Sequence, residues 1–214
     1  MASFDVIAPF TLKAEGGLSK DSKDNASAYP SPYYFQGSKG WHTNKGITYK
    51  TFEAASKLLN IPDNYQNFIV MPQNIWAKIA KFLFWDKLHL SDLKNQSIAN
   101  LMFSWFWGSG YGWRNRIKAY LKQNNIDWDK NDFKGLIRHL NKLIDKKGAK
   151  NVYNAIEETY ITFLKSLNQS KFINGWLNRL KELKEYSSGF ITANYGKLTT
   201  GLIFIGVGYL IYKK

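Results

Sequence analysis

Apolar residues recur at i, i+3, i+4 and i+7 in five separate stretches of this chain, and that spacing favours a helical fold. Ile98, Leu101, Met102, Trp105 and Phe106 form one stripe. Trp76, Ile79, Ala80, Leu83 and Phe84 form another, and Phe133, Leu136, Ile137, Leu140 and Ile144 a third. Val152, Ile156, Tyr160, Phe163, Leu164 and Leu167 follow, then Phe172, Trp176, Leu180 and Leu183. Thr48 is placed to cap a further helix running to about Leu59, with Pro62 as its stop. Strand signals are confined to the segment after Gly17. There Tyr29 to Thr48 is rich in Gly, Pro, Ser and Tyr, a composition suited to a hairpin or long loop.

The C-terminus reads differently. From Leu198 to Tyr212 every residue is apolar, Gly, Thr, Tyr or similarly uncharged, and Lys213 and Lys214 close the chain. A membrane-spanning helix needs about 20 residues, with about 17 as a lower limit. This run reaches that limit with Lys197 snorkelling at one end. Tyr209 and Tyr212 beside the lysines suit a membrane interface, and the lysine pair favours a C-terminus on the cytoplasmic side. A buried terminal helix is the competing reading.

Composition narrows the function classes. Hydrophobic residues make up 44% of the 214, enough for a core and too many for a disordered chain. There is no Cys, so disulfides, Cys-ligated zinc and a thiol nucleophile are excluded. The three His residues, His42, His89 and His139, lie far apart without metal-ligand spacing, and no metal or cofactor is expected. A formal charge of +14 points to a polyanionic partner: nucleic acid, anionic lipid or envelope polymer. The 8 Trp and 13 Tyr suit stacking on bases or on sugar faces. Basic residues are scattered rather than striped, which argues against nucleic acid.

One pair of carboxyls draws the eye to chemistry. Val6, Ile7, Phe10 and Ala14 line one face of an opening helix, and Gly16 and Gly17 supply a left-handed stop. Glu15 then falls at the helix C-terminus, at the edge of the core. The negative end of the helix and the loss of water both disfavour its ionised form, which suits a general acid. Asp24 follows nine residues later in a polar loop, where it is expected to be solvated and ionised. Two carboxyls in opposite environments suit glycosidic bond cleavage, and the Thr43 hydroxyl is placed to orient a water. The competing reading makes Glu15 a capping residue and Asp24 and Thr43 ordinary loop polars.

Glu15-Gly16-Gly17, Asp24, and Thr43-Asn44-Lys45-Gly46-Ile47-Thr48 together resemble the N-terminal pattern of glycoside hydrolase family 108, the lysozyme-like N-acetylmuramidases of phage endolysins and bacterial secretion-activator proteins. Phe84-Trp85-Asp86 looks like the family's Tyr-Trp-Asp motif. Ser97 to Gly110 and Gln169 to Arg179 resemble the start and close of its C-terminal, peptidoglycan-binding region. The resemblance implies that Glu15 is the catalytic acid and that Asp24 and Thr43 hold the companion positions of phage-type lysozymes. Read from the residues themselves, Trp107 and Tyr111, off the apolar stripe beside the flexible Gly108-Ser109-Gly110, and Trp41 in the Tyr- and Gly-rich stretch before Thr43 are candidates to stack on a sugar ring, and Asn44 is a further substrate-binding candidate. The sequence departs from the pattern at Leu18, where the family prefers an aromatic. It departs again at Asn25 to His42, an insertion that replaces a tight turn, and at Ser104, where related sequences often carry Asp.

The expected architecture is mainly α: a lysozyme-like helical fold with a small β-hairpin and loop region, plus a C-terminal membrane helix. Residues 1–95 are expected to form the catalytic region and 96–186 a helical region resembling a peptidoglycan-binding domain. Residues 187–196 read as a linker and 197–212 as a transmembrane helix. The expected function is that of an endolysin-type muramidase cutting the β-1,4 bond between N-acetylmuramic acid and N-acetylglucosamine of peptidoglycan. It is expected to be anchored in the host inner membrane and to act in the periplasm. The alternative is a non-catalytic, membrane-anchored wall-binding or virion protein.

Overall fold

The computed structural model describes residues 1–191, and these are mainly helical, with one short hairpin and a long irregular segment, residues 15–42, between the first helix and that hairpin. Helix α1 spans Phe4–Ala14, and the hairpin strands β1 and β2 are Thr43–Asn44 and Ile47–Thr48. Helices α2 (Tyr49–Leu59) and α3 (Gln73–Ala80) follow, with a π-helical turn at Gln66–Val70 between them and another at Lys81–Asp86 after α3. Then come α4 (Gln96–Ser109), α5 (Arg114–Gln123), α6 (Phe133–Lys147), α7 (Ala149–Ser166), α8 (Ser170–Tyr186) and the short α9 (Ser188–Ile191). All five periodic stripes lie on helices. The arginine- and lysine-rich α5 had no such stripe and was not anticipated.

Local signals account for most helix ends. Thr48 caps α2 by accepting a hydrogen bond from the Thr51 amide, and Asn60 ends that helix in the left-handed region. Asn95 and Asp132 cap α4 and α6 through their side-chain oxygens. Helix α1 departs from expectation in two ways. Its fully buried face is Phe4, Ile7 and Thr11, whereas Val6 and Phe10 are only half-buried and Ala14 is exposed. Tyr186 of α8 donates to the Val6 carbonyl at 2.6 Å and packs its ring 5.2 Å from Phe10, so α8 covers the second apolar side. Nor do the glycines stop α1 with a left-handed turn. Glu15 itself is extended (φ −85°, ψ 143°), because the next residues run straight to a bridge between Ser19 and Thr43.

Helices α1 and α4 lie alongside one another, tied at their starts. The Ser3 amide donates to Gln96 Oε1 at 2.7 Å, and Gln96 Nε2 donates to the Ser3 carbonyl at 2.9 Å. Phe4 then packs against Phe103, Trp85 and Trp76. At about 1.5 Å per residue, twelve residues along α1 and eleven along α4 cover nearly the same distance, about 17 Å. Glu15 and Trp107 therefore arrive at the same level.

One continuous hydrophobic core runs from Ala2 to Leu183, crossing the expected boundary at 95/96. Helix α4 is buried on nearly all sides and serves both halves. The segment expected to begin a linker at 187 is docked instead. Ser187 is buried, its carbonyl accepts from Ser97 and its hydroxyl from Asn100, and the Phe190 carbonyl accepts from Asn95. Buried polar groups on the first turns of α4 need partners, and this segment supplies them. The expected transmembrane helix at 197–212 lies outside the described residues. Among the described residues no helix is long and apolar enough to cross a membrane.

Candidate active site

The site is assembled around the tip of the hairpin. The turn residues Lys45 and Gly46 have φ of +46° and +77°, the pattern of a two-residue type I′ turn joining strands in the register Thr43↔Thr48 and Asn44↔Ile47. Three side chains hold this tip. Asn44 is buried and its amide donates to the Phe68 and Ile69 carbonyls at 2.7 and 2.8 Å. Trp76 Nε1 donates to the Lys45 carbonyl at 3.0 Å, and Lys45 Nζ donates to the Met71 carbonyl at 2.6 Å.

Gly46 presses against Glu15. A Cβ at position 46 would lie 2.4 Å from Glu15 Oε2 and 2.9 Å from Trp107 Cζ2, so only glycine fits. The Glu15 side chain is 14% exposed. Its Oε1 accepts two hydrogen bonds, from Trp107 Nε1 at 2.8 Å and from Arg179 Nη2 at 2.9 Å. Trp107 is itself locked by rings from Trp76, Phe84 and Phe103. Among the described residues Oε2 has no hydrogen-bond donor. The carboxyl thus has one oxygen saturated by donors and one left open. Glu15 does sit at a helix end with little exposure, as expected; the guanidinium beside it was not anticipated.

Thr43 lies on β1 and Asp24 in the loop before it, and neither is hydrogen-bonded to Glu15 among the described residues. His42, fully buried, organises this region: its Nδ1 is 2.9 Å from Thr43 Oγ1 and its Nε2 3.1 Å from the Asp21 carbonyl. A carbonyl only accepts, so Nε2 carries a proton, and the tautomer with its one proton there receives the Thr43 hydroxyl at Nδ1. That leaves Thr43 Oγ1 free to accept from a water. Asp24 is exposed and caps the 3₁₀ turn Asn25–Ala28 by accepting from the Ala26 amide at 2.9 Å.

The other expected binding residues separate. Trp107 reaches Glu15 directly. Asn44 is a framework residue, since both its amide protons are bonded to carbonyls in the interior. Trp41 is buried inside the insertion, donating to the Ser38 carbonyl and meeting Phe35 edge-on. Tyr111 is packed by Phe106 and Phe133, with the Arg114 guanidinium 4.4 Å over its ring. Asn44 and Trp41 hold structure around the site, while Tyr111 remains partly exposed. The insertion itself is folded onto α2: Tyr33 and Tyr49 both donate to Asp63, and Tyr29 donates to Glu53. Burial, then the Asp63 carboxylate, pushes the Tyr33 phenol up to about 12.

Arg179 is the residue that reading the sequence missed. A signal existed: it falls on the apolar stripe Trp176, Leu180 and Leu183 of α8, where a cation needs a partner. Ser104, Tyr160, Trp176 and Arg179 line a cavity of about 110 Å³ between α4, α7 and α8.

Residues 8–110 match the model of the glycosyl hydrolase 108 family. The matched segment contains Glu15, Gly46 and Trp107. In three dimensions the chain is similar to SagA of Brucella abortus, with a TM-score of 0.60 and 20% identity over 89% of this chain and 96% of that one. That likeness extends the shared fold well beyond residue 110. No curated protein matches the sequence.

Proposed function

We propose that the protein is a lysozyme-type muramidase that hydrolyses the β-1,4 bond between N-acetylmuramic acid and N-acetylglucosamine in peptidoglycan. The observation that carries this reading is the Glu15 carboxyl: Oε1 is held by two donors and Oε2 is left open, in a segment that matches a glycosyl hydrolase family. With both N–H groups on Oε1, a proton on the carboxyl resides on Oε2. Oε2 then protonates the leaving glycosidic oxygen as the C–O bond breaks, and positive charge develops on the departing sugar ring. Thr43 Oγ1 accepts from the attacking water, and Asp24 supplies negative charge at the rim of the site. The water's oxygen ends on the sugar and its proton passes to a carboxylate.

Mass spectrometry of digested peptidoglycan tests this, comparing wild type with Glu15→Gln. New reducing ends at muramic acid are expected from wild type and none from the variant. Binding to sacculi without product from either would favour the wall-binding alternative. The proposal extends to the setting, host-cell lysis from an inner-membrane anchor, on the strength of the uncharged run from Leu198 to Tyr212. Equal membrane retention of the full chain and of one ending at Ile191 would sink that part.

A further inference from the structure

The acid's second donor comes from far along the chain. Arg179 is 164 residues from Glu15, on a helix outside the segment that matches the hydrolase family. It sits on the face of α8 that turns inward, between Trp176 and Leu183. Its side chain is 30% exposed, and its Nε is buried with no hydrogen-bond partner among the described residues, while Nη2 reaches Glu15. An interior ion pair is weak evidence of a stability role, because desolvation offsets much of its attraction. An unsatisfied Nε adds to that cost, so stability alone explains this geometry poorly.

The helix is pinned to hold the guanidinium in place. Seven residues on, Tyr186 bonds to α1 at the Val6 carbonyl. Lys184 pairs with Glu157 of α7 at 2.6 Å. Thus α8 is tied both to the helix that ends in Glu15 and to the bundle behind it. Trp107 approaches Oε1 from α4 and Arg179 approaches it from α8, while Gly46 bounds Oε2. With either donor missing, Oε1 is held by a single hydrogen bond and the carboxyl is less firmly oriented.

We propose that Arg179 is a positioning residue for the Glu15 acid, so that the C-terminal helices complete the catalytic site rather than only binding the wall. This rests on the muramidase reading and deepens it. The arginine does not touch the reacting atoms; it selects the oxygen that does.

The test measures kcat and KM on soluble peptidoglycan fragments for wild type, Glu15→Gln, Arg179→Ala and Arg179→Lys, with unfolding midpoints alongside. Arg179→Ala is expected to lose about 100-fold in kcat with KM unchanged, the scale of a misplacement of about 1 Å at a reacting group. Millimolar guanidinium, well below denaturing levels, is expected to restore part of that kcat, and to leave wild type and Glu15→Gln unaffected. Arg179→Lys keeps the stem and the charge but not the planar fork, so it carries the test if the alanine variant does not fold, and it too is expected to lose kcat. Wild-type kcat in either folded variant overturns the proposal, as does a loss in a folded Arg179→Ala that guanidinium leaves untouched. If wild type itself releases no reducing ends, the muramidase reading falls and takes this with it. If wild type is active and Glu15→Gln is not while Arg179→Ala keeps its kcat, the positioning role alone falls.

Discussion

Replacing Gly46 with alanine separates the contribution of backbone conformation from that of the site. Gly46 has φ +77° and Gly37 has φ +71°; each is the second central residue of a tight turn whose first also has positive φ. A left-handed conformation costs a non-glycine residue about 1–2 kcal/mol, so both substitutions carry that strain. Only Gly46 has a neighbour. A Cβ at Gly37 meets nothing within 4 Å, whereas one at Gly46 lies 2.4 Å from Glu15 Oε2 and 3.0 Å from its Cδ. Ordinary carbon contacts fall at about 3.5–4.0 Å, so the carboxyl must retreat by about 0.5–1 Å. Trp107 cannot yield in its place, because Trp76, Phe84 and Phe103 hold its ring. The retreat pulls Oε1 from its donors and misplaces Oε2, which costs about 100-fold in rate on the scale of such displacements. Urea unfolding and reducing-end release are measured for both variants. Gly37→Ala is expected to lose only the strain energy and keep its activity, and Gly46→Ala to lose more stability and about 100-fold in rate. Equal activities in the two variants would refute the argument that the hairpin tip is fitted to the acid.

Trp107→Phe retains the ring stack but removes the N–H that reaches Glu15. A hydrogen bond is worth about 0.5–1.5 kcal/mol, so kcat is expected to fall by about 2- to 10-fold, and an unchanged kcat would show that the bond does not steady the acid. Alkaline pH provides a second probe. Tyr33 is raised to about 12 by burial first and the Asp63 carboxylate second, and Tyr160 to about 12 chiefly by burial, with Arg179 and Ser104 pulling the other way. A phenol raised above its unfolded value of about 10 favours the folded state while protonated. That stability is fully present below about pH 10 and is lost as pH rises through 12. Unfolding midpoints across this range, followed with phenolate absorbance, check the sign, and a stability that rose between pH 10 and 12 would contradict it.

Much of the helical frame is legible in local order. The 3.6-residue period marks α3, α4, α6, α7 and α8, Thr48 announces α2, and Glu15 falls where the first helix ends. These depend on neighbours within a turn or two, and a linear pattern records them directly. The orientation of each face was another matter. Phe10 looked like the middle of a buried face and is instead half-buried against Tyr186 of α8; Asn44 looked like a ligand contact and instead braces the hairpin from inside. Residue 187 looked like the start of a linker and instead satisfies buried amides and hydroxyls on α4.

An apolar period says that a helix has a buried side, but not which partner buries it. That is decided when side chains from distant segments compete for the same space and the same hydrogen-bond donors. The sequence alone therefore established a helical chain with a carboxyl at the end of its first helix. Only the packing of α1, α4, α8 and the hairpin placed Trp107, Arg179 and Gly46 around that carboxyl, because those contacts join positions up to 164 residues apart.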